Sequence, residues 1–218
     1  MSLNLQSFSA KVYATMGGAL ALSGFTALAI NSLPELQTLF YQPLIMIVCL
    51  VAELILVGVL SFAWKKLSPT TGLICLGAYS ILNGASLAAI FYTYELGSIV
   101  NVFFASVLFY ILLAIFGATT KLDLSKIGHI SLIALIAIAV VSLINLFLHS
   151  NLITLILNIV GVLVFFALTI YDHRKVVEIA NSQAENLNQY VVLMALQLYL
   201  DFVNIFLRLL SLFGKKKN

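Results

Sequence analysis

Charge is scarce in this sequence of 218 residues. Only 9% of the residues are Asp, Glu, Lys or Arg, whereas a soluble domain carries roughly 25%. Hydrophobic residues make up 62% of the chain. A chain of this composition cannot present a mainly polar surface to water, so we expect most of it to lie in a lipid bilayer. It has no basic groove with interleaved aromatic residues, which argues against a nucleic-acid partner.

Cysteine is also scarce, and both cysteines, Cys49 and Cys75, fall in apolar runs. This placement predicts two buried free thiols rather than a disulfide. The sequence contains no His and Cys cluster with metal-ligand spacing, so we expect no cofactor. The N-terminus lacks a cleavable signal pattern, and we expect the apolar segment after Lys11 to be the first membrane span.

Seven apolar stretches are long enough to cross a bilayer, which takes about 20 residues. They run approximately over Val12–Ile30, Pro43–Trp64, Gly72–Tyr92, Ser98–Gly117, Ile127–Leu148, Leu152–Tyr171 and Val191–Phe213. The breaks between them are short and polar, and no linker divides the chain. The sequence therefore predicts an all-α integral membrane protein, a bundle of seven transmembrane helices in a single domain over residues 1–218.

The basic residues that flank the first six spans fall on one side of the membrane if the spans alternate in direction. They are Lys11, Lys65, Lys66, Lys121, Lys126, Arg174 and Lys175, whereas the opposite loops carry Glu35, Glu95 and His149. The positive-inside rule then places the N-terminus in the cytoplasm, and we expect the membrane to be the inner membrane of a bacterium. Seven full crossings place the tail, Lys215–Lys217, on the far side. Either the last segment does not fully cross, or the six earlier helices fix the topology and the tail follows; we favour the second.

Polar residues line one face of the otherwise apolar seventh span. Gln197, Asp201, Asn204 and Arg208 are spaced by four, three and four residues, which places them on one side of an α-helix. An acid inside a bilayer normally faces the bundle interior, a partner or water. We therefore expect other helices to enclose the last helix. Arg208 lies two turns from Asp201, about 10 Å along the axis, and is expected to snorkel toward the outer interface.

Two further acids are candidates for a role inside the membrane. Glu53 lies about ten residues into the second span, where it either lines an ion path or makes structural hydrogen bonds. Asp172 is either a solvated residue at the end of the sixth span or the partner of Asp201. Two carboxyl groups held together in a low dielectric share a proton and titrate as a unit, which makes a pH-sensitive latch. The pairing requires the sixth helix to continue into residues 176–180.

Small residues at four-residue spacing predict close contacts between helices. Ala10, Ala14 and Gly18 form one such set in the first span, and Gly84 with Ala88 forms another in the third.

Three stretches of the chain resemble the Bax inhibitor-1 family, also known as the transmembrane Bax inhibitor motif family. Tyr171-Asp172 resembles the Tyr-Asp that ends helix six in the family. Residues 198–207, Leu-Tyr-Leu-Asp-Phe-Val-Asn-Ile-Phe-Leu, resemble the family motif Leu-Tyr-Leu-Asp-Phe-Ile-Asn-Leu-Phe-Leu. Residues 117–126 match the loop after helix four. The resemblance covers nearly the whole chain.

The resemblance implies a seven-helix bundle with the last helix at its centre. It also implies a pH-sensitive calcium leak channel whose pH sensor is a pair of aspartates, here Asp172 and Asp201. The two carboxylates would also hold a passing Ca²⁺, because hard oxygen ligands suit this ion. We expect Glu53, Asn204 and Gln197 to line the ion path. The partners are then the lipid bilayer, Ca²⁺ as the permeant ion, and protons.

Several basic residues are candidates to tune the pair. Where the family reads Tyr-Asp-Thr-Gln, this chain has His173 and Arg174 after the acid. The family also places a basic residue near the pair at the cytoplasmic end of helix two, a position that Lys65 or Lys66 would fill. Arg208 is a further candidate.

Other functions are less compatible with the residues. An intramembrane aspartyl protease needs Gly-x-Gly-Asp around its second acid, but Tyr199 and Leu200 precede Asp201 here, and no Pro-Ala-Leu occurs. A retinal protein needs a lysine in the seventh span for the Schiff base. We therefore expect no enzyme activity. A regulator of partner membrane proteins, or a proton-coupled transporter, stays open as the alternative to a channel.

Overall fold

The structure is a computed structural model that describes residues 5–182 and 187–217. Within these ranges the regular structure is helical and contains no strand. The α-helices, in chain order, are α1 (Leu5–Ser32), α2 (Pro34–Phe40), α3 (Pro43–Phe62), α4 (Pro69–Leu87), α5 (Ala89–Thr93), α6 (Leu96–Thr119), α7 (Ser125–Leu148), α8 (Asn151–Asn181) and α9 (Leu187–Phe213). A 3₁₀ turn, Trp64–Lys66, follows α3.

Seven helical stretches are long and apolar enough to cross a membrane, with α4 and α5 together forming one of them. This confirms the prediction of an all-α membrane bundle with seven spans. The prediction did not include α2. The second span is also shorter than predicted, because α3 ends at Phe62 and Trp64 lies in the 3₁₀ turn.

Local sequence signals explain where several helices begin and end. Pro43 and Pro69 stand in the first turns of α3 and α4, where the missing proline N–H costs nothing. The Ser68 hydroxyl caps α4 by accepting a hydrogen bond from the Thr71 N–H at 3.1 Å. At the end of α7, His149 adopts a left-handed backbone conformation with φ of 51°, which allows the chain to turn directly into α8.

The chain divides into two compact units. The first comprises Met1–Tyr94, Ile179–Tyr199 and Lys217, and the second comprises Glu95–Glu178, Leu200–Lys216 and Asn218. In the first unit, α4 packs against both α1 and α3. A Cβ on Gly84 would lie 2.5 Å from the Ser23 carbonyl oxygen, so the glycine is what lets α1 and α4 approach. Helix α9 contributes residues to both units.

The last helix is by far the most buried. In α9, 72% of the 18 most apolar consecutive residues are buried, compared with 11–33% in the corresponding stretches of the other six spans. Helix α9 therefore has the enclosed environment that its polar stripe predicted.

Helix α8 differs most from its predicted bounds. The predicted sixth span ends at Tyr171, but the helix continues for ten residues to Asn181. Val176 is fully buried in this extension and Ala180 is 9% exposed. Tertiary contacts thus cover the apolar residues of the extension, and Asp172 lies within the helix rather than at its end.

The start of the C-terminal tail is fixed beside the loop that precedes α6. The Lys215 ammonium pairs with the Glu95 carboxylate at 2.8 Å, and the Glu95 N–H donates to the Lys215 carbonyl at 2.9 Å. The tail therefore lies at the same end of the second unit as Glu95, an acid of the loops without basic residues.

Candidate functional site

The extended α8 carries a row of buried polar residues. Thr169 and His173 are fully buried, and Asp172 is 6% exposed. The His173 Nδ1 lies 2.8 Å from the Thr169 carbonyl oxygen, so this nitrogen carries the hydrogen in that contact. The helix continues past His173, and neighbouring residues cover its ring completely.

Helix α9 brings Asp201 to the same place in the second unit. Asp201 is 4% exposed, and its carboxyl group hydrogen-bonds to the carboxyl group of Asp172. An ionised carboxylate can only accept hydrogen bonds. A hydrogen bond between two carboxyl groups therefore requires a proton on one of them.

Other groups complete the surroundings of the pair. The Thr169 hydroxyl also hydrogen-bonds to the Asp201 carboxyl, and the same hydroxyl lies 2.7 Å from the Phe165 carbonyl oxygen. The Asp201 Oδ2 has no hydrogen-bond partner among the residues that the structure describes. The positive charge that acts on Asp172 is that of Lys175, one turn further along α8. Neither Lys175 nor Thr169 was predicted to lie beside the pair, although helical spacing from Asp172 indicates both.

Two glycines allow neighbouring helices to pack tightly around this part of α8. A Cβ on Gly117 of α6 would lie 2.9 Å from the His173 Cβ and closer still to the Ile170 carbonyl oxygen. A Cβ on Gly128 of α7 would lie 2.7 Å from the Tyr171 ring. The residues on both sides of Asp172 are therefore held by contacts that leave no room for a side chain.

The basic residues considered for tuning lie in different surroundings. The Arg174 guanidinium pairs with Glu178 at 2.8 Å and donates to the Thr120 carbonyl oxygen at 2.8 Å, so its charge is already partnered. Lys65 and Lys66 lie in the 3₁₀ turn of the first unit, where the Lys65 ammonium sits 5.5 Å from the centre of the Trp64 ring.

Glu53 lies in a separate buried network of the first unit. Its carboxylate accepts hydrogen bonds from Asn83 at 2.9 Å and from Ser86 at 2.5 Å. The Tyr199 hydroxyl donates to the Asn83 side-chain oxygen at 2.7 Å and lies 2.6 Å from the Ser23 hydroxyl. Both oxygens of Glu53 therefore accept hydrogen bonds from protein donors. This arrangement agrees with the alternative in which Glu53 makes structural hydrogen bonds.

The remaining residues of the α9 stripe have different surroundings from one another. The Asn204 amide donates to the Leu200 carbonyl oxygen of its own helix at 2.9 Å. The Oε1 of Gln197 is buried and has no partner within the described part of the chain. The Arg208 Nη1 donates to the Leu157 carbonyl oxygen of α8 at 2.9 Å.

No group of three or more His, Cys, Asp or Glu side chains suited to a metal ion occurs among the described residues. The pair of Asp172 and Asp201 therefore has no third His, Cys, Asp or Glu side chain grouped with it in the described part of the chain. The comparisons with known proteins bear on this arrangement. Residues 5–218 match the family model described as inhibitor of apoptosis-promoting Bax1.

The chain belongs to the Bax inhibitor family.

Bacterial relatives of the Bax inhibitor family agree over nearly the full chain. The inner membrane protein YbhL of Escherichia coli strain K12 is 38% identical over 218 residues, which cover 98% of this chain and 93% of YbhL. An uncharacterized membrane protein of Streptococcus pyogenes serotype M1 is 35% identical over 98% of this chain and 94% of its own length. A protein of Borreliella burgdorferi is 32% identical over 97% of this chain and 93% of its own length. Family membership and the seven apolar helices together show that this chain is a membrane protein of the Bax inhibitor family.

Proposed function

We propose that this Bax inhibitor family member is a pH-sensitive cation leak channel that passes Ca²⁺. In the closed state Asp172 and Asp201 share a proton and hold α8 and α9 together. Loss of that proton leaves two negative charges in contact, and their repulsion separates the helices. A path for cations then opens beside α9, and the freed carboxylates supply the hard oxygen ligands that Ca²⁺ prefers.

The observation that carries this proposal is the hydrogen-bonded carboxyl pair inside the second unit. A buried pair of acids costs stability compared with apolar packing, so its presence inside a membrane helix favours a functional role over a structural one. The Asp201 Oδ2, which has no hydrogen-bond partner in the described ranges of the chain, supports the same proposal, because a purely structural acid usually has both oxygens satisfied. Glu53, with both oxygens hydrogen-bonded, has the contacts of such a structural acid.

We further propose that the protein lies in the bacterial inner membrane with its N-terminus in the cytoplasm. The distribution of Lys and Arg among the short loops supports this orientation. The pairing of Lys215 with Glu95 supports a tail on the outer side, since Glu95 belongs to a loop without basic residues. The printed name of the relative YbhL, an inner membrane protein, supports the compartment.

The experiment is Ca²⁺ flux into proteoliposomes, measured with purified protein from about pH 5 to about pH 8. We expect the wild-type flux to rise with pH through a single coupled titration. Asp201→Asn and Asp172→Asn keep the shape of the side chain but remove the shared acid, so each should abolish the pH dependence. Asp123→Asn is the matched control, because this acid is exposed in the loop before α7, and its flux profile should follow the wild type.

Two results would contradict the proposal. One is an unchanged pH profile in Asp172→Asn or Asp201→Asn. The other is the absence of flux at every pH from wild-type protein that circular dichroism shows to be helical.

A further inference from the structure

A polar cavity opens in the second unit, at the end where α7 turns into α8. Its volume is about 410 Å³, within the size range of small-molecule sites. Its polar wall consists of Ser142, Asn145, His149, Asn151, Thr154, Asn158 and Arg208. The site lies away from the acid pair, because Arg208 stands two turns along α9 from Asp201, about 10 Å.

Helix α8 holds the Arg208 side chain in a defined position. The guanidinium covers Gly161, where a Cβ would overlap it. It also lies 5.4 Å from the centre of the Phe165 ring and donates to the Leu157 carbonyl oxygen. Leu157, Gly161 and Phe165 are spaced by four residues and share one face of α8. These contacts hold the Arg208 side chain against α8, and the guanidinium occupies the space that a side chain at Gly161 would fill.

The charge of Arg208 has no counter-ion in the described structure. No Asp or Glu side chain is among the residues that line the cavity, and the ion pairs found among the described residues involve Arg174 and Lys215 instead. The side chain is half-buried, and its Nε is buried without a hydrogen-bond partner among those residues. A cation held this way inside a membrane protein is costly unless an anion compensates it.

The turn beside the cavity is fixed as well. The Asn145 side chain donates to the Thr154 hydroxyl at 2.8 Å and accepts from the Ser150 N–H at 3.1 Å. On the α9 side, the Asn158 amide donates to the Ser211 hydroxyl at 2.7 Å. The wall of the cavity is thus built from ordered amides and hydroxyls around one cation.

We propose that this cavity binds a phosphate group, with Arg208 as its counter-charge. Arginine presents a planar fork of donors that matches phosphate oxygens, and the Ser142 hydroxyl and the Asn151 amide at the cavity add neutral donors. Apolar Leu146 and Leu157 also line the cavity, so the phosphate of a phospholipid headgroup fits as well as a free phosphate. The site goes beyond the proposed channel function and does not depend on it.

The test measures binding to the full-length protein in detergent. Native mass spectrometry compares phosphatidylglycerol with diacylglycerol, which has the same tails and no phosphate. Calorimetry with inorganic phosphate tests the soluble source. The variants are Arg208→Gln and Arg208→Lys, the second of which keeps the charge if the first fails to fold. Arg174→Gln is the matched control, because it removes an arginine that is already paired.

We expect Arg208→Gln to weaken phosphate binding about tenfold or more, the usual effect of losing a charge-assisted hydrogen bond. Arg208→Lys should weaken it less, and Arg174→Gln should leave it unchanged. Selective binding of phosphatidylglycerol identifies a lipid as the source, whereas binding of inorganic phosphate alone identifies a soluble one, and both support the site. The proposal is overturned if neither phosphate compound binds, or if both Arg208 variants bind as tightly as the wild type. Neither result depends on Ca²⁺ flux.

Discussion

Gly117→Ala tests the claim that α8 is gripped tightly around Asp172. The added Cβ would lie 2.9 Å from the His173 Cβ and closer to the Ile170 carbonyl oxygen. Carbon atoms pack favourably at about 3.5 Å, so α6 and α8 would have to separate by roughly 0.6 Å at the His173 contact alone. The obstacle on the other side is a backbone oxygen, which cannot rotate away as a flexible side chain does.

The expected cost follows from these contacts. Overpacking a close contact costs about 1–3 kcal/mol, and alanine recovers about 0.5–1 kcal/mol of helix propensity relative to glycine. We expect a net destabilisation of about 1–2 kcal/mol. The shift also displaces the residues on either side of Asp172, so Gly117→Ala should change the pH midpoint of Ca²⁺ flux as well.

The assay is equilibrium unfolding in mixed micelles, followed by circular dichroism. Gly97→Ala is the matched control on the same helix, since a Cβ there meets nothing within 4 Å. The control should match the wild type or gain up to about 0.5–1 kcal/mol from the helix propensity of alanine. Equal stability of Gly117→Ala and Gly97→Ala would refute the close contact between α6 and α8.

Two further variants test other parts of the structure. Tyr199→Phe removes the hydroxyl that donates to Asn83 and leaves a buried acceptor unsatisfied. The free energy of unfolding should therefore fall by about 1–3 kcal/mol. Tyr190→Phe, at a half-buried ring of the same helix, is the control and should have little effect. In the loop before α7, the hydroxyl and N–H of Ser125 hydrogen-bond to Asp123 and lower the pKa of this carboxyl. The stabilisation is therefore present above the ordinary aspartate pKa and is lost as the pH falls through the lowered value. An NMR titration should find that Ser125→Ala raises this pKa, and an unchanged pKa would contradict the assignment.

Hydropathy predicted the seven spans well, because an apolar stretch of about 20 residues has few alternatives to crossing a bilayer. It failed at the end of α8. Four consecutive polar residues, Asp172-His-Arg-Lys175, lower the local hydropathy, but a helix continues through polar residues when partners cover them. Burial of Val176 and Ala180 shows that partners do so here. The end of a hydrophobic run is therefore not the end of a helix.

The spacing of small residues predicted contacts without saying which ones form. Gly84 does bring α4 against α1, but Ala10, Ala14 and Gly18 lie on an exposed face of α1. Both sets have the same four-residue period. The period places residues on one face of a helix, and only the tertiary structure decides whether that face meets another helix.

The polar stripe of α9 was visible in the sequence, but its partners were not. The sequence placed Asp201 and Arg208 on one face. It did not indicate that Arg208 packs against Gly161. Outside the stripe, it likewise did not indicate that Glu53 hydrogen-bonds to Asn83. The two residues of each contact lie 30 to 50 residues apart along the chain on different helices, and no local pattern marks them.

The most direct test of the central claim is an infrared titration of the protein in proteoliposomes. The stretching band of a protonated buried carboxyl would report the proton that we propose Asp172 and Asp201 to share. We expect this band at low pH in the wild type, its loss at the same pH midpoint at which Ca²⁺ flux rises, and its absence in the Asp172→Asn, Asp201→Asn double variant. A wild-type protein that lacks the band throughout, or loses it at a pH unrelated to the rise in flux, would contradict the account.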